Sequence, residues 1–137
     1  MSYLIDTNVI SELRRKQPDA AVVAWFEHCA PQSLFLSVLT LGEIRKGIER
    51  LDDPKRRQTL VDWLHVDLPT FFLGRLLSVD APVADRWGRL QSAAGRPLPA
   101  IDGLLAATAL QHDLILVTRN VKDFKGLGLD IFNPWDA

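Results

Sequence analysis

Five residues with oxygen donors stand where an apolar run gives way to polar chain: Asp6, Glu43, Asp102, Asn120 and Asp123. Asp6 closes the run Tyr3-Leu4-Ile5. Glu43 falls in the first turns of the segment after Leu34–Val38, and Asp102 opens an Ala/Leu-rich segment that leads into Leu114–Val117. Asn120 and Asp123 follow that last run at i, i+3 spacing, which sets both on one side of a helical turn. Singly, each has an ordinary explanation. Asp6 and Asp102 can cap helices, Glu43 can be an exposed helix acid, and Asp123 a turn residue. Together, Asp6, Glu43 and Asp102 place like charges beside apolar strands and helices, at a cost on the order of several kcal/mol each unless something compensates. A divalent cation is the natural compensation. The donors are all oxygen, there is a single cysteine (Cys29), and no Cys/His cluster exists, so the chemistry favours Mg²⁺ or Mn²⁺ over zinc.

The elements that must position these residues follow from periodicity. Tyr3–Ile5 reads as a short strand, and Val9, Ile10 and Leu13 recur at helical spacing from Thr7 to about Arg15. Pro18 suits the first turn of a second helix through Val22, Val23 and Phe26, ending near Ala30-Pro31. Leu34–Val38 reads as a buried strand. Leu41, Ile44, Ile48 and Leu51 keep a 3.6-residue rhythm with polar residues between them, an amphipathic helix that stops before Asp52-Asp53-Pro54. A helix is predicted over Lys55–Val66, a strand over Leu76–Val79, and a helix from Asp80-Ala81-Pro82 through Leu90. After the loop Gly95–Pro99, the helix opened by Asp102 runs to about His112. Leu114–Val117 is the clearest strand, followed by a helical turn over Asn120–Phe124 and an edge strand over Leu129–Phe132. Strands that alternate with helices and are apolar on both faces predict an α/β fold, a parallel sheet covered by helices on both sides. Sites in such sheets gather beyond the carboxyl ends of the strands. All the singled-out residues except Asp102 lie on that side by sequence order; Asp102 needs the tertiary fold to bring it there.

The 137 residues are expected to form one domain, with an apolar fraction of 47% that supports a real core. Sixteen Lys+Arg against 17 Asp+Glu give a net charge of −1, which excludes nucleic-acid binding by bulk basicity but not by a local basic rim around an acidic pocket. No signal peptide and no membrane-length apolar run is present, so the expected location is the cytoplasm, where Cys29 stays reduced and packs as a small hydrophobe.

The segment Ile5-Asp6-Thr7-Asn8-Val9-Ile10-Ser11-Glu12-Leu13 resembles the opening motif of the PIN-domain family. Ser37–Ile48, carrying Glu43, resembles its second acidic motif, Asp102–Ala109 its third and Val117–Phe124 its fourth. With Asn133-Pro134-Trp135, the pattern is similar to the VapC toxins of bacterial toxin–antitoxin pairs, in particular their FitB-like branch. The resemblance runs from Tyr3 to Trp135. It implies a three-layer α/β/α sandwich with a parallel sheet of four or five strands, and a Mg²⁺- or Mn²⁺-dependent endoribonuclease. Asp6, Glu43 and Asp102 fall on the family's metal-binding acids. Many relatives carry a further acid two residues after the fourth motif's threonine, where this chain has Asn120; Asp123 is the nearest carboxylate and is taken as the fourth catalytic acid, orienting water or touching the metal. Thr7, Asn8 and Thr118, with Asn120, are implied supports. The implied partners are RNA, a second copy in a homodimer, and a cognate antitoxin. The antitoxin lays a peptide across the groove and can carry the toxin into a larger assembly on operator DNA.

Arg45, Lys46, Arg119 and Lys122 flank the motifs and are candidate RNA contacts. Lys55-Arg56-Arg57 reads as a solvated helix face. Trp25, Trp63, Trp87 and Trp135 can stack on bases, but helical spacing of Trp63 and Trp87 with other apolar residues favours core or subunit packing. Two rival readings remain. One is a binding module that keeps the fold without catalysis. The other is phosphotransfer through Asp6 as nucleophile, which lacks the second aspartate two residues on because Asn8 stands there.

Overall fold

A computed structural model describes residues 1–137. Its centre is β1 (Tyr3–Ile5), which pairs in parallel with β2 (Leu34–Ser37) on one side and β4 (Ile115–Val117) on the other. The short strands β3 (Leu76–Leu77) and β5 (Ile131–Phe132) complete a five-stranded sheet in the order β3-β2-β1-β4-β5, all parallel. Register across the middle is Tyr3 opposite Leu34 and Ile115, and Ile5 opposite Val117.

Side chains that alternate across a strand sort themselves into two cores. Leu4 and Leu116 face a core completed by Leu105, Ala106, Ala109 and Phe124, whereas Ile5, Leu34, Leu36 and Val117 face one completed by Val9, Val22, Leu64 and Phe72. The second layer is built by α1 (Thr7–Leu13), α2 (Ala20–His28), α3 (Val38–Ile48), α4 (Pro54–Asp62) and α5 (Leu68–Phe71). The first is built by α7 (Ala100–Gln111) and α8 (Val121–Phe124), with α6 (Ala81–Ala93) packed on α7. This is the α/β/α sandwich expected from the sequence.

Several boundaries moved, each for a local reason. Val38 leaves β2 and starts α3, because Ser37 becomes an N-cap that accepts from the Leu39 N–H at 3.1 Å. α2 starts at Ala20, since Asp19 caps it through the Ala21 and Val22 amides. The predicted Lys55–Val66 helix gives way after Asp62 to a π-helical turn over Trp63–Asp67. Pro69 explains the change: it has no N–H to give the carbonyl four residues back, and its ring crowds that carbonyl, so the turn widens. Asp102 does not open α7; the helix begins at Ala100 with Pro99 at its cap position, and Asp102 sits inside the first turn.

α7 ends at an αL residue that is not glycine. Asp113 has φ 54°, and the bonds Leu114 N–H to Ala109 O and Asp113 N–H to Leu110 O reverse the chain directly into β4. At the other end of α7, Gly103 lets α6 approach closely. A Cβ there would meet Trp87 Nε1 at 3.0 Å and Gln91 Nε2 at 3.2 Å. No helix is long and apolar enough to cross a membrane.

Candidate functional site

Asp6 is the pivot. Its backbone N–H donates to Val117 O at 2.9 Å, which extends the β1–β4 pairing by one residue and fixes the carboxylate at the carboxyl edge of both strands. The side chain is only 7% exposed. It caps α1 by accepting from the Thr7 N–H at 2.7 Å, and accepts from Thr118 Oγ1 at 2.7 Å and Asn8 Nδ2 at 3.3 Å. The capping role is therefore real and coexists with placement in a site. Thr118 Oγ1 in turn accepts from Asn8 Nδ2 at 3.2 Å and from the Asn120 N–H at 3.0 Å. Asn8 Oδ1 accepts from the Arg119 N–H at 3.3 Å. The turn after β4 is thus stitched to the turn after β1 around the Asp6 carboxylate, and every donor in the stitching is neutral.

Glu43 reaches the same place from α3. Its Oε1 accepts from Thr7 Oγ1 at 2.6 Å, and Thr7 Oγ1 lies 3.2 Å from Thr40 Oγ1. An open pocket of about 460 Å³ is lined by Asp6, Glu43 and Asp102 together with Thr7, Asn8, Asn120, Arg119, Ser11, Glu12, Arg15 and Trp135. Folding therefore brings the three expected acids to one cavity, Asp102 included.

The electrostatics are those of crowded carboxylates. Asp6 has its pKa raised from 3.8 to about 6, first by burial and then by the charges of Glu43 and Asp102, against the lowering effect of the Thr118 and Thr7 hydrogen bonds. Asp102 is also raised, by burial first and then by the charges of Asp123 and Glu43. None of the four forms a salt bridge. The pocket gathers Asp6, Glu43 and Asp102 as oxygen donors with no ion pair to any of them, while its two cations, Arg15 and Arg119, stand on the wall and Arg15 is paired with Glu12; the three acids are a donor set that fits a hard divalent cation. The acids ring the space without closing on it: no three His, Cys, Asp or Glu side chains stand ready to hold a metal between them. A cation here would take part of its coordination from water.

The remaining predicted residues are distributed unevenly. Asn120 lines the pocket and Asp123 does not, although Asp123 is close enough to raise Asp102. The segment carrying Asp123 is fastened by Arg96, which donates to the carbonyls of Asp123 and Lys125 at 3.2 and 3.0 Å. Arg119 lines the pocket, with its guanidinium 4.9 Å from the centre of the Trp135 ring. Lys122, Arg45 and Lys46 are exposed and outside it, and Arg45 pairs with Glu49 at 3.2 Å.

Three features of the pocket had no role assigned from sequence: Ser11, Glu12 and the pairing of Trp135 with Arg119. Asn8, Ser11, Glu12 and Arg15 recur at i, i+3, i+4 and i+7, a polar stripe opposite the apolar face of α1, and that spacing was the available signal. Glu12 is buried and accepts from Arg15 Nη1 at 3.2 Å and from the Asp19 N–H at 2.9 Å, so it ties α1 to the start of α2. Beside the acid pocket runs a groove of about 260 Å³, floored by Ile44, Ile48, Leu51, Leu60 and Trp63 and edged by Arg14, Arg15 and Arg56. It shares Thr7, Ser11, Arg15 and Glu43 with the acid pocket.

Comparison with known proteins agrees with this architecture. The PIN-domain family profile matches residues 3–128. The chain is 39% identical over 135 residues to the toxin FitB of Neisseria gonorrhoeae, covering 96% of this chain and 97% of that protein. It is 36% identical over 136 residues to the VapC ribonuclease Y4jK of Sinorhizobium fredii, covering 97% of each. The solved structure of FitAB bound to an IR36 DNA fragment matches with a TM-score of 0.90 at 37% identity, covering 97% of this chain and 95% of that one.

Proposed function

The chain belongs to the PIN-domain family, and from that membership we propose that it is an endoribonuclease, the toxin of a type II toxin–antitoxin pair. We read residues 1–137 as one domain acting in the cytoplasm. The observation that carries the catalytic reading is Asp6: a buried carboxylate held only by neutral donors, in a pocket shared with Glu43 and Asp102. Such a residue is costly in the protein alone and becomes favourable when a cation binds.

In this mechanism Asp6, Asp102 and Glu43 are the residues that would hold Mg²⁺ or Mn²⁺. The bound cation supplies a water of lowered pKa and neutralises charge that develops on the phosphate oxygens. Everything else is done by the chain. Thr118, Asn8 and the Thr7 amide hold the Asp6 carboxylate against rotation, with the Thr118 hydroxyl proton on Asp6 Oδ2. Thr7 holds Glu43. Glu43 in the pocket, or Asp123 from beyond its lining, orients the attacking water. Arg119 and Arg15, on the pocket wall, attract the RNA phosphates and keep the strand against the acids. No nucleophilic side chain is required, which separates this reading from phosphotransfer through Asp6.

The partner is a cognate antitoxin. Its peptide fits the apolar groove beside the acids, with a basic side chain set over the pocket, and through the antitoxin the pair assembles on operator DNA. We assign the homodimer contact to the segment of Val66, Phe71 and Leu73, which are 60%, 38% and 81% exposed and apolar.

The test is cleavage of RNA by the highly purified protein. It is expected to need added Mg²⁺ or Mn²⁺, to stop with chelator, and to be lost in Asp6→Asn with the fold intact. Full activity of Asp6→Asn, or cleavage insensitive to chelator, overturns the mechanism.

A further inference from the structure

The helical threonines divide into two kinds. Thr59, Thr70 and Thr108 donate back to the carbonyl four residues earlier in the chain, Lys55 O at 3.0 Å, Val66 O at 2.6 Å and Leu104 O at 2.8 Å. That is the ordinary use of a hydroxyl on a helix. Thr40 is different. It is fully buried at the start of α3, and its hydroxyl meets Thr7 Oγ1 on α1 instead of its own helix.

Proton bookkeeping sets the direction of this contact. Thr7 has one hydroxyl proton and two acceptors within reach, Glu43 Oε1 at 2.6 Å and Thr40 Oγ1 at 3.2 Å. A carboxylate can only accept, and it draws the shorter, charge-assisted bond. Thr7 therefore donates to Glu43, and the 3.2 Å contact is made by the Thr40 proton pointing at Thr7. We propose that Thr40 is a positioning residue for Glu43. By donating to Thr7 Oγ1, it commits the single Thr7 proton to Glu43 Oε1 and fixes the carboxylate at the pocket. The relay also suits the charge state of the site, because two hydroxyls hold Glu43 without neutralising it as a lysine or arginine would. Thr40 and Glu43 are one helical turn apart on the same face of α3, so the turn that carries the acid also carries its support. The inference rests on Glu43 contributing to cation binding.

The experiment measures Mn²⁺ binding to the full chain without RNA, by titration calorimetry or by the loss of the free-ion resonance signal. Thr40→Val keeps the shape and removes the proton. It is expected to weaken Mn²⁺ binding about three- to tenfold, the size of one lost neutral hydrogen bond. Thr40→Ser, which restores the hydroxyl, is expected to stay within about twofold of the parent by the same measure. In a Glu43→Ala background, Thr40→Val is expected to change nothing further, since its effect passes through Glu43. Thr7→Val, at a half-buried position, breaks the same relay in the middle and is expected to reproduce the loss; it serves if Thr40→Val does not fold. Unchanged Mn²⁺ affinity in the valine variants overturns the relay. So does equal loss in Thr40→Ser, or a full Thr40→Val effect in the Glu43→Ala background. Asp6→Asn is the reference: binding unchanged there overturns the cation site itself, whereas binding lost there with Thr40→Val neutral overturns only the role of Thr40.

Discussion

Replacing Asp6 by Asn should stabilise the metal-free protein at neutral pH and destabilise it in acid. In the folded chain the Asp6 pKa is raised to about 6 from 3.8. The folded state therefore holds a proton more tightly than the unfolded state, and Asp6 weakens the fold above pH 6, where it must be charged. The displacement corresponds to about 3 kcal/mol, present in full above the folded pKa and relieved as pH falls through 6 toward 4. Asparagine caps helices as well as aspartate and keeps an oxygen for the Thr7 amide. Its amide nitrogen, however, faces Thr118 Oγ1, which already accepts from Asn8 and Asn120, and it faces the Asn8 amide donor as well. Those mismatches cost about 1–2 kcal/mol at every pH. The variant is thus expected to exceed the parent by about 1–2 kcal/mol at pH 8 and to fall below it by a similar amount at pH 4. Urea unfolding of both proteins in chelator across that range measures the difference. A stability difference that does not change with pH refutes the account of Asp6, whatever its sign. Adding Mg²⁺ should raise the stability of the parent and leave Asp6→Asn unmoved.

Arg119→Ala should weaken binding of single-stranded RNA in chelator and lower the salt slope by roughly one phosphate contact, with the fold unchanged, as read by fluorescence anisotropy at several salt concentrations. Asp113→Gly should raise stability by about 1 kcal/mol in chemical unfolding, because glycine adopts the φ of 54° found there without strain. Leu73→Lys, at a side chain already in solvent, should leave the melting temperature near the parent value and shift the proposed dimer to monomer in sedimentation velocity. An unshifted dimer places the interface elsewhere.

The sheet and the order of its elements were legible because the central strands are apolar on both faces and end abruptly in polar residues. Asp6 could be found for the same reason. Asp102 was recognisable by type, but not its place: it lies on a helix that runs toward the next strand, and only packing of α7 against β4 and α6 carries it to the cavity. The π-helical turn at Trp63–Asp67 escaped because periodicity reports a helix whether it winds in 3.6 or more residues; Pro69 was the cue. Thr40 and Glu12 escaped for another reason. A polar side chain inside an amphipathic helix looks like an ordinary surface residue until the opposing helix is in place. The basic residues show the limit of proximity in sequence. Arg45, two residues on from Glu43, lies about 200° round α3 and pairs with Glu49, and Lys46, although only one turn along from Glu43, is exposed outside the pocket.

The bond between Thr118 and Asp6 spans 112 residues of chain. Its consequence concerns the order of synthesis. β1 is made well before its neighbour β4 and the turn that holds the Asp6 carboxylate. Until then Asp6 has no fixed orientation, and Asp102 and Asn120 are not yet beside it. A pocket that depends on the bond between Asp6 and Thr118 cannot form before β4 and the turn after it have been made. Closure of the parallel sheet is itself slow, because every pairing in it is non-local.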